Sequence, residues 1–377
     1  MKRIKYVLLL LMITSIANVH AEDGKFNLSV TSDGKIILKR VQMLNADGYE
    51  STLKDVAKEC TFTNTVNRYG VYMLSVSYLT VASKKNNSIN IQLFLKPGDT
   101  RLIFQGSEGK YSITGVSASA QKDYELLASR DQVVLKRGQV FESRLRQYEQ
   151  SKNKKAAAQM KDSIAKAQMA RKGLYESYIR QHPNDELSLY AMGMYNFINR
   201  ENPMEIKSLL STLGKELQDT EEMMAIKKDA EENEKFLIGA KAPDFTQTDT
   251  NGVAVSLTSL QGKYVLVDFW ASWCKPCRAQ NPSLLRLYQK YNDKGFTILG
   301  VSLDSKKDAW LKAIHNDKLE WQQVSDLNLW KNAVAKQYKI TYVPQNYLLD
   351  THGVIIGKNL NEDELNEVLE KELTHKP

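Results

Sequence analysis

Two cysteines two residues apart, Cys274-Lys-Pro-Cys277, are the residues of this chain best suited to chemistry. A pair at that spacing can exchange with a disulfide: one thiolate attacks a sulfur, and the second thiol resolves the mixed disulfide that forms. Free cysteine is mostly protonated at neutral pH, so the attacking member needs help to ionise. The flanking pattern supplies it. Tyr264 to Phe269 has the length and β-branched content of a buried strand, and Trp270 to Trp273 make a short apolar connection. From about Pro276 the pattern turns helical, with Leu284, Leu285, Leu287, Tyr288 and Tyr291 on one stripe. Cys274 is thereby expected at the exposed N-terminal end of a helix, where unpaired N–H groups and the positive end of the helix dipole favour an anion. This makes Cys274 the nucleophile, with a lowered pKa, and Cys277, one turn inside, the resolving thiol. Lys275 lies between them as a further stabiliser of the thiolate.

Two other readings of the pair stand beside this one. Half a zinc site needs two more ligands at suitable spacing; the only other cysteine is Cys60, and the five histidines form no matching pair. A purely structural disulfide across so short a loop adds little stability. Asp268 interrupts the apolar strand six residues before Cys274. A buried carboxylate is costly unless neutral or paired, so its pKa is expected to be raised. It is placed to take the proton from Cys277 as that thiol attacks; a carboxylate hydrogen-bonded for structure is the alternative.

Trp273-Cys-Lys-Pro-Cys277 after a hydrophobic strand resembles the thioredoxin superfamily. Ala242-Pro-Asp-Phe245 upstream and Asn281-Pro282 downstream resemble the TlpA/ResA-like branch of secreted thiol–disulfide oxidoreductases, related to the AhpC/TSA group. The resemblance covers roughly 236–377, and Val343-Pro344 before a strand strengthens it. It implies a thioredoxin α/β fold and an acid at position 268. It also implies that Pro344 is a cis proline facing the cysteines, keeping metal away and exposing the Val343 backbone to an extended substrate. Trp273, Lys275 and Pro276 join Val343 as candidate substrate contacts. Gln280 departs from the branch, which commonly carries glutamate there. Asp268 is then the one acid serving the thiols, and the departure counts against transferring the branch's role in cytochrome c maturation.

The chain has 377 residues, enough for two or three domains. Residues 1–21 read as a signal peptide, with Lys2, Arg3 and Lys5 ahead of an apolar core from Tyr6 to Ile13 and small residues at Val19-His-Ala21. The core is short for a bilayer span, although an uncleaved anchor stays open. Loss of this segment takes three positive charges and no acids from a net charge of +8, leaving +5, too mild to support nucleic-acid binding. With two of three cysteines in one motif, no structural disulfide framework is expected. Cys60, beside Val56, Ala57 and Phe62, reads as a small core residue, with a reactive or intermolecular thiol as the alternative.

Residues 22–117 read as a β-rich sandwich or barrel, with runs at 35–41, 60–66, 70–76, 89–95, 100–104 and 111–114 and turns at Asp33-Gly34, Asp47-Gly48 and Pro97-Gly-Asp99. Phe94 to Asp99 and Tyr111 to Gly115 resemble a domain of unknown function that often precedes thioredoxin modules. Residues 118–235 read as helical, with little Gly or Pro. Within them 130–172 holds twelve Lys/Arg against four Asp/Glu, while 216–235 holds eight acids and three lysines. These runs read as solvated faces, or as segments that pair with each other or attract acidic partners. His182-Pro-Asn-Asp185 reads as a turn opening a further helix, with Leu187, Leu189, Tyr190, Met194 and Phe197 on its apolar face. Residues 236–377 alternate strands and helices, including one helix from Leu329 to Tyr338, so a mixed sheet covered on both faces is expected.

The functional expectation is a secreted, periplasmic thiol–disulfide oxidoreductase that reduces protein disulfides through Cys274 and Cys277. It needs no cofactor beyond that redox-active disulfide, takes electrons from a membrane donor, and has a homodimer open to it. A peroxiredoxin-like thiol peroxidase is one alternative, weakened by the missing Pro-x-x-x-Thr pattern. The other is a binding protein in which 24–235 recognises a partner.

Overall fold

The computed structural model describes residues 24–374 apart from 46–49, 67, 68, 107, 109 and 152. The expected signal segment 1–21 and the turn at Asp47-Gly48 lie outside the described residues. The chain divides into two compact units, with the boundary between Ala230 and Glu231.

Among the described residues the first unit opens with eight strands: β1 (Gly24–Ser32), β2 (Ile36–Asn45), β3 (Glu50–Ala57), β4 (Glu59–Val66), β5 (Gly70–Thr80), β6 (Asn86–Leu95), β7 (Gly98–Gln105) and β8 (Lys110–Gly115). They form two four-stranded sheets, ordered β4-β1-β7-β8 and β3-β2-β5-β6. Alternation sends Phe26, Leu28 and Val30 of β1 and Tyr72, Leu74 and Val76 of β5 into one core shared by both sheets. In β2 the inward phase changes from Leu38 to Val41, where the register shifts against both neighbours.

Six helices follow: α1 (Ala118–Gln150), α2 (Lys154–Gln181), α3 (Leu187–Asn199), α4 (Pro203–Leu210), α5 (Lys215–Gln218) and α6 (Glu221–Asn233). The buried Gln121 ties α1 to β6, accepting from Phe94 N at 2.6 Å and donating to Gln92 O at 2.8 Å. Asn153 caps α2, its side chain accepting from Ala156 N. Arg171 and Asp131, a bidentate pair, join α2 to α1. On α3, Leu187, Leu189 and Met194 are buried as expected, but Phe197 is exposed. It falls outside the broad buried face that runs from Leu187 to Tyr195.

The second unit carries a two-stranded ladder, β9 (Thr246–Thr248) with β10 (Ala254–Ser256), and a central sheet. The central elements are β11 (Tyr264–Trp270), α7 (Lys275–Tyr291), β12 (Phe296–Ser302), α8 (Lys307–Asp317), β13 (Gln322–Val324), α9 (Ala333–Gln337), β14 (Gln345–Leu349), β15 (Ile355–Lys358) and α10 (Glu362–Thr374). Strand order is β13-β12-β11-β14-β15, parallel through the first three and antiparallel beyond. All seven residues of β11 are buried, so both faces of the sheet are covered. This is the thioredoxin-like α/β architecture that the motif order implies. The helix expected over 329–338 is broken: a 3-10 turn, Leu329–Lys331, ends at Asn332, which caps α9. No helix among the described residues is long and apolar enough to cross a membrane.

Candidate active site

Cys274 is the N-cap of α7, and its sulfur accepts from the Cys277 N–H at 3.2 Å. The two cysteines form a disulfide, with Cα atoms 5.3 Å apart. Pro276 sits in the first helical turn, where a missing N–H costs nothing. Contrary to the exposed position read from the sequence, Cys274 is only 4% exposed. The solvent-facing groups are its neighbours: Trp273 is 48% exposed, and Lys275 and Pro276 are exposed as well. The helix-end N–H of Cys277 lies within reach of the Cys274 sulfur, where it would favour a thiolate.

The loop entering α7 is held from two sides. Asp304, buried just past the end of β12, accepts from Ser272 N at 2.9 Å, Ser272 Oγ at 2.5 Å and Ser302 Oγ at 2.8 Å. On the other side Arg278 donates to Ser272 O at 3.2 Å and forms a bidentate pair with Asp317 on α8. Asn281 also donates to Asp317, at 2.6 Å. Burial opposes the charge on Asp317, but the hydrogen bonds from Arg278 and Asn281 outweigh it and hold that carboxyl below the usual range.

Asp268 is buried in the middle of β11, and burial alone pushes its carboxyl up to about 7. Its strand neighbours in register are Gly300 on β12 and Asn346 on β14. Alternation puts Asp268 on the same face as Trp270 and opposite Phe269, which packs with Tyr338 and Tyr347.

The Val343–Pro344 peptide is cis. Phe269 pairs with Gln345, so Pro344 lies level with Trp270, at the end of the sheet where the chain enters the cysteine loop. Val343 and Pro344 are half-buried. Gln280 is exposed on α7. Cys60 is far from this constellation in sequence and is half-buried on β4; burial, aided by Glu59, pushes its thiol up to about 11.

The sequence model of the AhpC/TSA family matches residues 238–358. Thiol-disulfide oxidoreductase ResA of Bacillus cereus is 31% identical over 131 residues, covering 35% of this chain and 74% of that protein. The chain belongs to the ResA-like thiol–disulfide oxidoreductases. ResA of Bacillus thuringiensis subsp. konkukian is 32% identical over 141 residues, or 37% of this chain and 80% of that one. The crystal structure of the thioredoxin domain of a thiol-disulfide oxidoreductase from Bacteroides vulgatus is 42% identical, covers 36% of this chain and 98% of its own, and has a TM-score of 0.35. The family match lies within the second unit, and the ResA-like module there is a thiol–disulfide oxidoreductase.

Within the ResA-like module the structure adds residues that sequence reasoning does not single out. Asp304, Ser272, Arg278 and Asp317 brace the cysteine loop. Trp330, 45% exposed, packs against Trp273 with ring centroids 6.0 Å apart. Its turn is pinned by the buried Asn332, which donates to Ser302 O at 3.3 Å. Polar residues bounding an otherwise apolar strand, Ser302 and Asp304, were the available signal. Trp330 carried none, because its partnership with Trp273 spans 57 positions and arises only through the sheet.

Proposed function

We propose that the chain is a secreted, periplasmic reductase of protein disulfides. The Cys274 thiolate attacks one sulfur of a substrate disulfide, and the other substrate sulfur leaves as a thiolate. Asp268, ionised, takes the proton from Cys277. The Cys277 sulfur then attacks Cys274, and the second substrate thiolate is released. Two electrons pass to the substrate, and the Cys274–Cys277 disulfide remains. No cofactor beyond that disulfide enters, and a membrane electron donor re-reduces it. Pro344 bounds the site, while Trp273, Lys275, Pro276 and the Val343 backbone contact the substrate, with Trp330 widening that surface.

The observation that carries this reading is the pairing of a helix-capping Cys274, hydrogen-bonded to the Cys277 N–H, with a buried Asp268 at a raised pKa. A thiolate stabilised by a helix end and a base poised near neutrality are what the two half-steps require. The test is reduction of insulin disulfides with a chemical thiol as donor. The wild-type chain accelerates precipitation of the insulin B chain, and Cys274→Ser abolishes the acceleration; a Cys274→Ser chain as active as wild type would remove the proposal.

We also propose the division 22–117, 118–235 and 236–377 as folding modules, and a homodimer. The dimer is supported by Leu126, Val133 and Val140, all at least half exposed at seven-residue spacing along α1.

A further inference from the structure

Gly300 lies between two side chains of the same sheet face. Asp268 on β11 is in register with it on one side, and Gln323 on β13 on the other. A Cβ at Gly300 would stand 2.2 Å from Gln323 Oε1 and 2.8 Å from Nε2, so the Gln323 amide occupies the space that a Gly300 side chain would fill. Adjacent strands are about 4.8 Å apart, and in-register neighbours point to the same face. The amide therefore lies one strand away from Asp268, with no side chain between them.

The orientation of that amide is fixed. Trp270 Nε1 can only donate, and it donates to Gln323 Oε1 at 3.0 Å. Nε2 is then the free end, and it is buried without a hydrogen-bond partner in a residue only 4% exposed. A buried orphan donor costs free energy and calls for an explanation. An acceptor that becomes much stronger on ionisation supplies it. Protonated Asp268 has little demand for donors, whereas the ionised carboxylate accepts only.

We propose that Gln323 is a positioning residue for the base: its Nε2–H, carried across Gly300, donates to the Asp268 carboxylate when that group is ionised. The proposal rests on Asp268 serving as the base for Cys277. Gln323 holds the carboxylate ready to receive the Cys277 proton, and Trp270 holds Gln323. The neighbouring strands contribute Gly300 and Asn346 at this level, neither of which titrates, and burial is the sole influence on Asp268 from described groups. The thiols of Cys274 and Cys277 on α7 are the remaining titratable groups of the site.

The experiment uses the full chain and an aromatic disulfide whose thiolate absorbs visibly. The first released thiolate reports attack by Cys274, and the second reports resolution by Cys277. The rate of the second release is followed from pH 5 to 9. Gln323→Met, which keeps the shape and loses the donor, is expected to move the midpoint up by about one pH unit, slowing resolution below it up to about tenfold. Gln323→Glu keeps an acceptor for Trp270 and is expected to move it further. The infrared carbonyl band of protonated Asp268, titrated in wild type and Gln323→Met, reports the same shift without turnover. An unmoved midpoint in both variants, with Asp268→Asn removing the midpoint near neutrality and leaving only the ionisation of the Cys277 thiol, overturns the proposal and leaves the base in place. A midpoint near neutrality that survives Asp268→Asn overturns both.

Discussion

At the residue scale Asp268 carries two opposed demands. Its carboxyl is pushed up to about 7 by burial, so the folded chain binds a proton more tightly than the unfolded chain does. Stability from this source is fully present below the ordinary carboxylate value and is lost as pH rises through about 7. At pH 8 the ionised group costs the fold on the order of 4 kcal/mol. Asp268→Asn is therefore expected to melt higher than wild type at pH 8, with the difference shrinking toward pH 5. The same substitution removes the proposed base and is expected to slow resolution of the mixed disulfide by about 100-fold at pH 8. Paired melting curves and single-turnover rates check both; a variant that is faster or less stable at pH 8 contradicts the account. A buried charge retained against stability is the expected mark of a functional group.

At the scale of elements, the N-terminus of α7 is positioned by polar residues rather than by apolar packing alone. Asp304 accepts three hydrogen bonds from Ser272 and Ser302, and an amide in its place cannot accept at both ends. Asp304→Asn is expected to cost about 1–3 kcal/mol, read as a lower midpoint in urea unfolding. An unchanged midpoint would mean the loop is held by other contacts. This brace also marks the limit of what the sequence reveals. The second unit was legible because β11, α7 and β12 follow simple periods and because the cysteine motif ties the chain to one architecture. The break at Asn332 was not, since the buried cap that causes it bonds to Ser302, 30 positions away. In the first unit β3 left no trace: Glu50–Ala57 has no buried residue and no apolar alternation. In β1 the alternation of Phe26, Leu28 and Val30 was there to be read. Cys274 and Cys277 were evident from spacing, whereas Gln323 and Trp330 become site residues only when the sheet brings them there.

At the scale of the whole molecule, the oxidoreductase chemistry belongs to the second unit, and the first unit offers a long helical arm. Leu126, Val133 and Val140 are exposed on α1 at heptad spacing. If they meet a second copy, Val133→Glu is expected to convert a dimer to a monomer in light scattering at micromolar concentration; a wild-type chain that is monomeric under those conditions contradicts the dimer. The direction of electron flow is a property of the whole chain with its partners, and the reduction potential of Cys274/Cys277 tests it most directly. Tryptophan fluorescence during equilibration with thiol redox buffers reports that potential, since Trp270 and Trp273 closely precede the pair in sequence. A reductase requires a value at or below that of thioredoxin, about −270 mV. A value near that of strong oxidants, about −120 mV, would mean that the chain delivers disulfides to its substrates and would contradict the proposed role as a reductase.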